Sequence, residues 1–475
     1  MGGEHRGLAD FSRRELLKRI AGTAACIPFA AAPSLYSAER SQEEIRPPNS
    51  FVGPKVFSDS DDALLQELEA ASFWYFWEQA NPDTGLIRDR CNIRTFDKSD
   101  LGSIASTGFG LTALCIGEKR GFISYTEARN RVLNTLRYLW KKLPNHRGFF
   151  YHWANINTGE RLWDAEISSI DTAILLCGVL TCRQHFHHSE ISLLAYEIFN
   201  RVDWKWLSED TAILPHGWRP ESGFLQYRWD NYNEMMMMYL LGLGSGTHPL
   251  PADSWNAWKR TTFEYDGIRY IGSFAPLFVH QYSQAWFDFR GKRDRYTDYF
   301  QNSAIATDVH RRFCIDLAQE FPDYSDDLWG ITASDSSKGY AVWGGPPTTG
   351  PIDGSVVPCA AAGSLPFVPD ASMRVLRTIK DRYPNAWCRY GFVDAFNPLT
   401  NWYDHDVIGI DLGISIVMAE NARTGFVWET FMGNPEALRG MERAGFKASP
   451  RPDMQERHAS SSPATPRNLA KTIGQ

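Results

Sequence analysis

The sequence lacks three features that would point to common functional classes. Its eight cysteines include no Cys-x-x-Cys pair and no His-Cys cluster, so a zinc site is not expected. It has no basic excess, because the formal net charge is -7, and this gives no reason to expect nucleic acid or an anionic membrane as partner. Outside the N-terminal region it has no apolar run long enough to span a membrane.

Aromatic residues, in contrast, are abundant. The chain has 17 Trp, 19 Tyr and 28 Phe among 475 residues, which makes 13% of the composition. Most of these rings are expected in a large hydrophobic core, but flat rings with a polar edge also suit stacking on sugar faces. The 43% hydrophobic and 22% charged content is that of an ordinary globular protein.

The first residues resemble a twin-arginine export signal. Ser12-Arg13-Arg14 precedes a mildly apolar run from Ile20 to Leu35, which is too short for a stable membrane span. We therefore predict a signal peptide at 1–38, the twin-arginine machinery as a partner, and a periplasmic or secreted location. Cys26 is a poor match to a lipid-attachment site. A polar linker is predicted at 39–58 and a disordered tail at 449–475.

Hydrophobic periodicity predicts twelve main helices between the linker and the tail, with loops that are alternately long and short. Every second helix is entered through a long loop and left through a short one. The segments are 61–77, 104–118, 125–142, one from Trp163 through Leu180, one through Trp206, 235–243, 252–263, one from His280 to Arg290, 296–320, 356–365, one through Lys380, and 411–420. A terminal helix at about 434–445 is expected to pack outside this series.

This alternation is typical of six antiparallel helical hairpins arranged in a circle. We predict an all-α (α/α)6 barrel over residues 59–448, with its long loops at one mouth. The inner helices of such a barrel are parallel, so their N-termini share the mouth. Acids are predicted at three of these helix starts, where they would also serve as caps; they are Asp164, Glu166 and Asp171, then Asp230 and Glu234, then Asp411.

Several carboxylates in an aromatic-lined mouth suit glycoside hydrolysis. One acid protonates the leaving oxygen, and another activates water or attacks the anomeric carbon. Crowding of like charges and partial burial would raise the pKa of one carboxyl group and keep it protonated.

Longer motifs resemble one family along residues 60–448. They are Glu166-x-Ser-x-Ile-Asp171-Thr172-Ala173, Tyr232-Asn233-Glu234, Pro276 to Tyr282, Thr332-Ala333-Ser334-Asp335, Gly391 to Asn397, and Gly409-Ile410-Asp411-Leu412-Gly413. The chain is similar to the bacterial glycoamylase-like proteins of glycoside hydrolase family 144, whose type activity is endo-β-1,2-glucanase. The resemblance implies an (α/α)6 barrel, an inverting hydrolase of β-1,2-glucan, an oligo- or polysaccharide substrate, and no metal or cofactor.

Within that expectation we predict Glu234 as general acid and Asp411 as base. Glu166 and Asp171 compete with Asp411, and the acid and base roles remain interchangeable at this point. The candidate stacking platforms are Trp163, Trp229, Tyr340, Trp343 and Trp402. The other candidate substrate contacts are Asp164, Asp230, Tyr232, His280, Gln281 and Asp335.

Three alternatives stay open from the sequence. A β-1,2-glucan transglycosylase would give longer or cyclised products in place of short reducing sugars. A polysaccharide lyase would require uronic-acid substrates, and the acid-rich mouth argues against it. A glycan-binding protein without catalysis would keep its function when Glu234 or Asp411 is replaced by its amide.

Overall fold

A computed structural model describes residues 57–274, 276–344 and 352–449, and this part of the chain is mostly helical, as predicted. The predicted signal peptide with Cys26, the linker up to residue 56 and the tail beyond residue 449 lie outside the described residues. Within the described ranges, no helix combines the length and apolar composition needed to cross a membrane.

The α-helices differ widely in length. They are α1 Asp59–Glu78, α2 Ile104–Lys119, α3 Tyr125–Lys141, α4 Ser169–His185, α5 Ser189–Asn200, α6 Trp204–Ser208, α7 Met236–Gly244, α8 Ser254–Ala257, α9 Tyr299–Asp316, α10 Pro358–Ala362, α11 Pro369–Arg382, α12 Gly409–Arg423, α13 Phe426–Met432 and α14 Pro435–Arg443. Short 3-10 helices occur at Leu277–His280, Tyr282–Ala285, Leu317–Gln319 and Pro384–Ala386.

The long loops carry strands of two to four residues, which the helical periodicity did not predict. They are β1 Ile87–Arg88, β2 Arg90–Asn92, β3 Leu101–Ser103, β4 Asn145–His146, β5 Phe149–Phe150, β6 Trp153–Asn155, β7 Ile167–Ser168, β8 Gly217–Arg219, β9 Gly223–Phe224, β10 Thr262–Tyr265, β11 Ile268–Ile271, β12 Lys292–Arg293, β13 Trp387–Cys388, β14 Gly391–Phe392, β15 Phe396–Asn397, β16 Trp402–Tyr403, β17 Asp406–Ile408 and β18 Lys447–Ala448. Three of them, β3, β7 and β17, run directly into the buried helices α2, α4 and α12.

Two kinds of helix alternate along the chain. In α2, α4 and α7 nearly every residue is buried, so these helices are enclosed on all sides. In α3 and α11 buried residues recur on one side only, and polar residues cover the other. The helices entered through long loops are therefore the enclosed ones, as the loop pattern predicted.

Six buried segments follow one another in a closed order of hydrogen bonds at their N-terminal ends. In each segment a backbone N–H donates a hydrogen bond to an acceptor in the long loop or buried segment of the next hairpin. The N–H of the last segment donates to the long loop that precedes the first. The bonds run from Ile104 to the His152 carbonyl (3.3 Å), Ser169 to the His216 carbonyl (3.1 Å), Met237 to Ser283 Oγ (2.9 Å), Phe278 to Thr332 Oγ1 (3.2 Å), Val356 to the Phe396 carbonyl (2.7 Å) and Gly409 to the Asp89 carbonyl (2.7 Å).

The predicted helix at 252–263 is wrong beyond its first turn. Only Ser254–Ala257 is helical, and β10 and β11 follow as a hairpin. The reason is local, because Asp266 (φ 49°) and Gly267 (φ 74°) both adopt left-handed conformations. An Asp-Gly turn of this kind matches the twist of two antiparallel strands.

The segment from His280 to Arg290 was predicted to be one helix, and this is also wrong. It forms two tight 3-10 turns, Leu277–His280 and Tyr282–Ala285. Three of its polar side chains donate hydrogen bonds to different neighbouring segments, and these bonds stabilise the 3-10 conformation. Gln281 donates to the Ala360 carbonyl (2.9 Å), Ser283 to the Glu234 carbonyl (2.6 Å) and Gln284 to the Tyr299 carbonyl (2.9 Å).

The terminal helix α14 packs against the buried helix α7. The Arg439 Nε donates to the Gly244 carbonyl over 2.8 Å. A Cβ at Gly440 would lie 2.1 Å from the Leu240 carbonyl oxygen, so the two helices touch backbone to backbone. The helix α14 therefore covers one side of α7. The segment that follows α7 in the chain, predicted as a helix at 252–263, forms only one helical turn.

A buried ion cluster gives a testable pH dependence of stability. Glu69 of α1 contacts Arg423 (2.5 Å) and Arg120 (3.3 Å), and its burial together with Glu420 raises its pKa from 4.5 to about 8. The folded state thus favours protonated Glu69, and this stabilisation is complete below pH 4.5 and lost as the pH rises to about 8.

We expect Glu69→Gln to flatten the decrease in unfolding free energy between pH 5 and pH 8, by up to about 1.4 kcal/mol per pH unit. Urea unfolding at several pH values measures this slope. Glu67→Gln on the same helix is the control, because Glu67 is exposed and forms a surface ion pair with Lys380. Equal slopes for Glu69→Gln and the wild type would contradict the prediction.

Candidate active site

The first group of acidic residues surrounds His152. Glu166 lies just before β7, and Asp171 is the third residue of α4. The His152 Nδ1 is 3.5 Å from Glu166 Oε1, and its Nε2 is 3.7 Å from Asp171 Oδ2. Arg219 of β8 approaches the other oxygen of Glu166 at 3.5 Å. The predicted pair of Glu166 and Asp171 is therefore brought together by a histidine from the preceding loop.

Asp171 also has the capping role that its position suggested. The Ser168 side chain accepts a hydrogen bond from the Asp171 N–H (3.0 Å), and the Ser168 hydroxyl donates to the Asp171 carboxylate. Asp171 is thus bonded to the N-cap residue of α4, Ser168, and its carboxylate also lies near His152.

The second group gathers acids from two distant loops. Asp335, Asp394 and Asp404 each offer one oxygen within 4.8 Å of the others, so this is the set that could hold a metal ion. Arg90 of β2 binds Asp335 (2.6 Å) and lies 3.6 Å from Asp406. Burial, followed by the charge of Asp335, raises the pKa of Asp404 to about 8.

Asp411 belongs to this second group. It is the third residue of α12 and is buried, and the Cys359 thiol donates to its Oδ1 over 3.4 Å. Asp394 and Asp411 line a small cavity of about 10 Å³, whose other walls are largely apolar. Burial, and then the neighbouring Asp411, raises the pKa of Asp394 well above its ordinary value.

Asp89 and Arg90 join the two groups. Arg90 Nε is 3.3 Å from Asp89 Oδ2, and the charge of His152 acts directly on Asp89. Burial is the larger influence and raises the pKa of Asp89. The structure therefore places several buried carboxyl groups around His152 and around Arg90.

Glu234 lies in the buried turn before α7, two residues ahead of the helix. It was predicted in the first helical turn, so its placement differs slightly. Its N–H donates to the Asn233 side chain (2.9 Å), and its carbonyl accepts from Ser283 (2.6 Å). The preceding loop is tied to α4 because the Trp229 indole donates to Ser169 Oγ (3.0 Å). The loop that carries Glu234 therefore contacts the N-terminal turn of α4, which contains Asp171.

Three of the predicted platforms have accessible ring surface. Trp163 is 59% exposed and meets Trp153 edge-on, with ring centroids 6.2 Å apart. Tyr340 and Trp402 are half-buried. Trp163, at a positive φ of 50°, projects from the turn that leads to Glu166.

The predictions of Trp229 and Trp343 as stacking platforms need correction, because the rings of both residues are buried. Trp229 stacks on His216 with centroids 3.9 Å apart, and Trp343 donates its indole N–H to Ser334 (3.1 Å). Each of these two side chains is only 2% exposed. Their apolar surface is more stable in the core than against solvent, which leaves no face for a sugar.

Three predicted substrate contacts are also buried in the core. The Tyr232 hydroxyl is bonded to His280 Nδ1 (3.0 Å), and Gln281 spans to α10. Burial lowers the pKa of His280 to about 3, so its ring is neutral. These side chains are enclosed by protein and offer no exposed surface for a substrate.

The remaining predicted contacts lie nearer to solvent. Asp164 is exposed in the turn beside Trp163, and Asp230 forms a weak surface pair with Lys259 at 3.6 Å. Asp335 is bound by Arg90, as described above. Sequence reasoning missed Arg90, His152, Asp394 and Asp404 as members of the site. These residues lie in or beside short strands, which are too short to give a periodic pattern in the sequence. The one available signal was the position of Asp394 and Asp404 in the last long loop.

Comparisons with known proteins identify the family. The family model "Glycoamylase: Putative glucoamylase" matches residues 226–435. A crystal structure of a protein described in the same words, from Bacteroides fragilis NCTC 9343, is 31% identical, covers 83% of this chain and 100% of its own, and has a TM-score of 0.76. The chain belongs to the glycoamylase family.

Two further relatives have named activities. An endo-β-1,2-glucanase from Chitinophaga pinensis, solved with sophorotriose and glucose, is 29% identical over 83% of this chain and 99% of its own, with a TM-score of 0.74. An exo β-1,2-glucooligosaccharide sophorohydrolase from Parabacteroides distasonis is 28% identical over 432 residues. That match covers 82% of this chain, which spans only 59% of the sophorohydrolase's length.

Proposed function

We propose that this protein is a glycoside hydrolase that cleaves β-1,2-glucan. The observation that carries the proposal is the near end-to-end likeness to the Chitinophaga pinensis endo-β-1,2-glucanase, 99% of which is matched. The buried carboxyl groups around His152 and around Arg90 are suited to this chemistry.

We propose further that the fold is an (α/α)6 barrel within a single domain at 59–448. The closed order of six hydrogen bonds supports it, because each buried segment is tied to the next around a ring. The alternation of enclosed and one-sided helices is typical of inner and outer layers.

In the mechanism we propose, Glu234 is the general acid that protonates the glycosidic oxygen. Asp411 is the general base that removes a proton from the attacking water, so the anomeric configuration inverts. The position of Asp411 in the first turn of α12 stabilises its negative charge through the helix dipole. Glu166 and Asp171 remain the alternatives for the base, since His152 beside them would stabilise their charges when protonated.

Incubation with a panel of α- and β-glucans of defined linkage tests the function. We expect release of short reducing sugars from β-1,2-glucan alone, and NMR should show inverted anomeric configuration in the first product. Sophorose as the sole early product would indicate exo action, and a mixture of lengths endo action. Cyclised or longer products would favour a transglycosylase, and absence of turnover on every glucan would contradict the proposal.

Trp163 gives a prediction for substrate binding. We expect Trp163→Ala to raise KM about fivefold with little change in kcat, because a stacked aromatic ring contributes roughly 1 kcal/mol. Steady-state kinetics on β-1,2-glucan measures both constants. Tyr196→Ala on α5 is the control, because Tyr196 is similarly exposed, at 51%, but lies in a helix entered through a short connection and not in one of the long loops that carry the acids. Equal KM values for the two variants would exclude stacking at Trp163.

We also propose twin-arginine export to the periplasm or the exterior, with 1–38 as the signal, 39–58 as a linker and 449–475 as a tail. The support is the motif Ser12-Arg13-Arg14 before an apolar run. Replacing both arginines with lysine should leave the protein in the cytoplasm of a host that has the twin-arginine pathway. Unchanged export would reject this proposal.

A further inference from the structure

Asp394 is buried beside Asp411 and has no role in the mechanism described so far. It lies between β14 and β15, in the long loop that precedes α12, and is 4% exposed. Its carboxyl group and that of Asp411 line the same small, mostly apolar cavity of about 10 Å³. Two carboxyl groups buried around so small a cavity cannot both be charged at modest cost, which favours one proton shared between them.

The hydrogen bonds of Asp394 indicate which of its oxygens carries that proton. Its Oδ2 accepts the backbone N–H of Asp335 over 2.6 Å. Its Oδ1 is buried and receives no hydrogen bond from an N–H or O–H group of the described residues. A protonated carboxyl group has this pattern: one oxygen accepts, and the other carries hydrogen and donates.

The surroundings favour the proton on Asp394 and the charge on Asp411. Asp411 occupies the N-terminal turn of α12, where the helix dipole stabilises a negative charge, and it also accepts from the Cys359 thiol. Asp394 faces two further acids, Asp335 and Asp404, whose charges oppose ionisation of its carboxyl group. Arg90 is the nearby cation, and its closest contact is with Asp335.

We propose that Asp394 is a positioning residue that keeps its proton and donates it in a hydrogen bond to Asp411, so that Asp411 is held charged and oriented as the base. This inference rests on the proposed hydrolase function and on Asp411 as base. It assigns Asp394 a neutral, hydrogen-bonding role with no direct contact with the reacting atoms.

Two substitutions separate this role from the alternatives. In Asp394→Asn the amide N–H replaces the carboxyl O–H as donor and the side chain remains neutral. In Asp394→Ala the donor is lost. We expect Asp394→Asn to keep kcat on β-1,2-glucan within about tenfold of wild type, and Asp394→Ala to lower it at least 100-fold with a smaller change in KM. Circular dichroism and thermal unfolding of each variant establish that it is folded.

The pH profile gives a second readout that a purely structural role would not change. Above its pKa, Asp394 loses the shared proton, and wild-type activity should fall. In Asp394→Asn this group cannot ionise, so its part of the alkaline decrease should disappear. Asp404→Asn is the comparison, because Asp404 is also buried nearby with a pKa of about 8 and should account for a separate part of that decrease.

Infrared difference spectroscopy tests the proton without any substrate. At neutral pH, wild type minus Asp394→Asn should show the C=O stretch of a protonated carboxyl group. If that band is present and no glucan is cleaved, the proposed function fails while the proton assignment holds. A folded Asp394→Asn as inactive as Asp394→Ala, or absence of the band, would overturn the inference, because Asp394 would then act as a charged group.

Discussion

Substitution of Glu234 by glutamine is expected to lower kcat on β-1,2-glucan by about 100- to 10,000-fold with the fold intact. Glutamine is nearly isosteric and keeps the backbone bonds to Asn233 and Ser283, so only proton donation is lost. The buried turn that carries Glu234 excludes water, which cannot easily replace the missing acid.

The leaving group decides whether the loss reflects acid catalysis. A β-glucosyl fluoride or an aryl glycoside with an acidic phenol needs little protonation, so Glu234→Gln should cleave it at a rate near that of wild type. Asp411→Asn should lose activity on both kinds of substrate, because the attacking water must still be activated by the base. Glu264→Gln, in the exposed hairpin formed by β10 and β11, is the matched control and should behave as wild type. Equal losses on both substrates would show that Glu234 is not the acid.

The largest expected effect on stability comes from a single methyl group between α2 and α4. A Cβ at Gly178 would lie 2.1 Å from the Gly108 carbonyl oxygen, and one at Gly108 would lie 2.5 Å from the Ile174 carbonyl oxygen. Both obstacles are backbone atoms of buried helices, which cannot rotate away. We therefore expect Gly178→Ala to destabilise the protein by about 3 kcal/mol or more, although alanine is the better helix former.

Thermal and urea unfolding measure this change directly. Gly246→Ala is the control, because an added Cβ there would approach nothing nearer than the Arg439 side chain, at 3.7 Å. It should unfold within about 0.5 kcal/mol of wild type. If Gly178→Ala unfolds with the same midpoint as this control, α2 and α4 are not in backbone contact, and the packing of the first two buried helices is wrong.

The helical class was predictable because it depends on periodicity that local sequence carries. The enclosed helices α2 and α4 have apolar or small residues on every side and no polar face, whereas the helices α3 and α11 have one apolar side. Loop lengths then indicated which helices are enclosed. The predictions failed at 252–263 and at His280 to Arg290, where a positive-φ Asp-Gly turn and side-chain bonds to distant residues override the helical pattern.

The candidate site was predictable only in part. Acids at the buried helix starts, such as Asp171 and Asp411, could be placed because position within a helix follows from the sequence. Asp394 and Asp404 could not be linked to Asp335, because their proximity depends on loops about 60 residues apart that meet only in the folded chain. Trp229 and Trp343 were predicted to stack on sugars, but both are buried. Burial of an aromatic ring depends on residues that contact it in the folded chain, and these cannot be identified from the local sequence.

The sequence by itself determined the mostly helical class, the order of enclosed and outer helices, and the family, and it predicted an acid-rich mouth with Glu234 and Asp411. These follow from periodicity and motif spacing, which are properties of neighbouring residues. Only the tertiary structure decided which carboxyl groups lie close together and which are buried. Those properties depend on distances of a few ångströms between residues far apart in the chain, because electrostatic interactions in a dry interior act at that range.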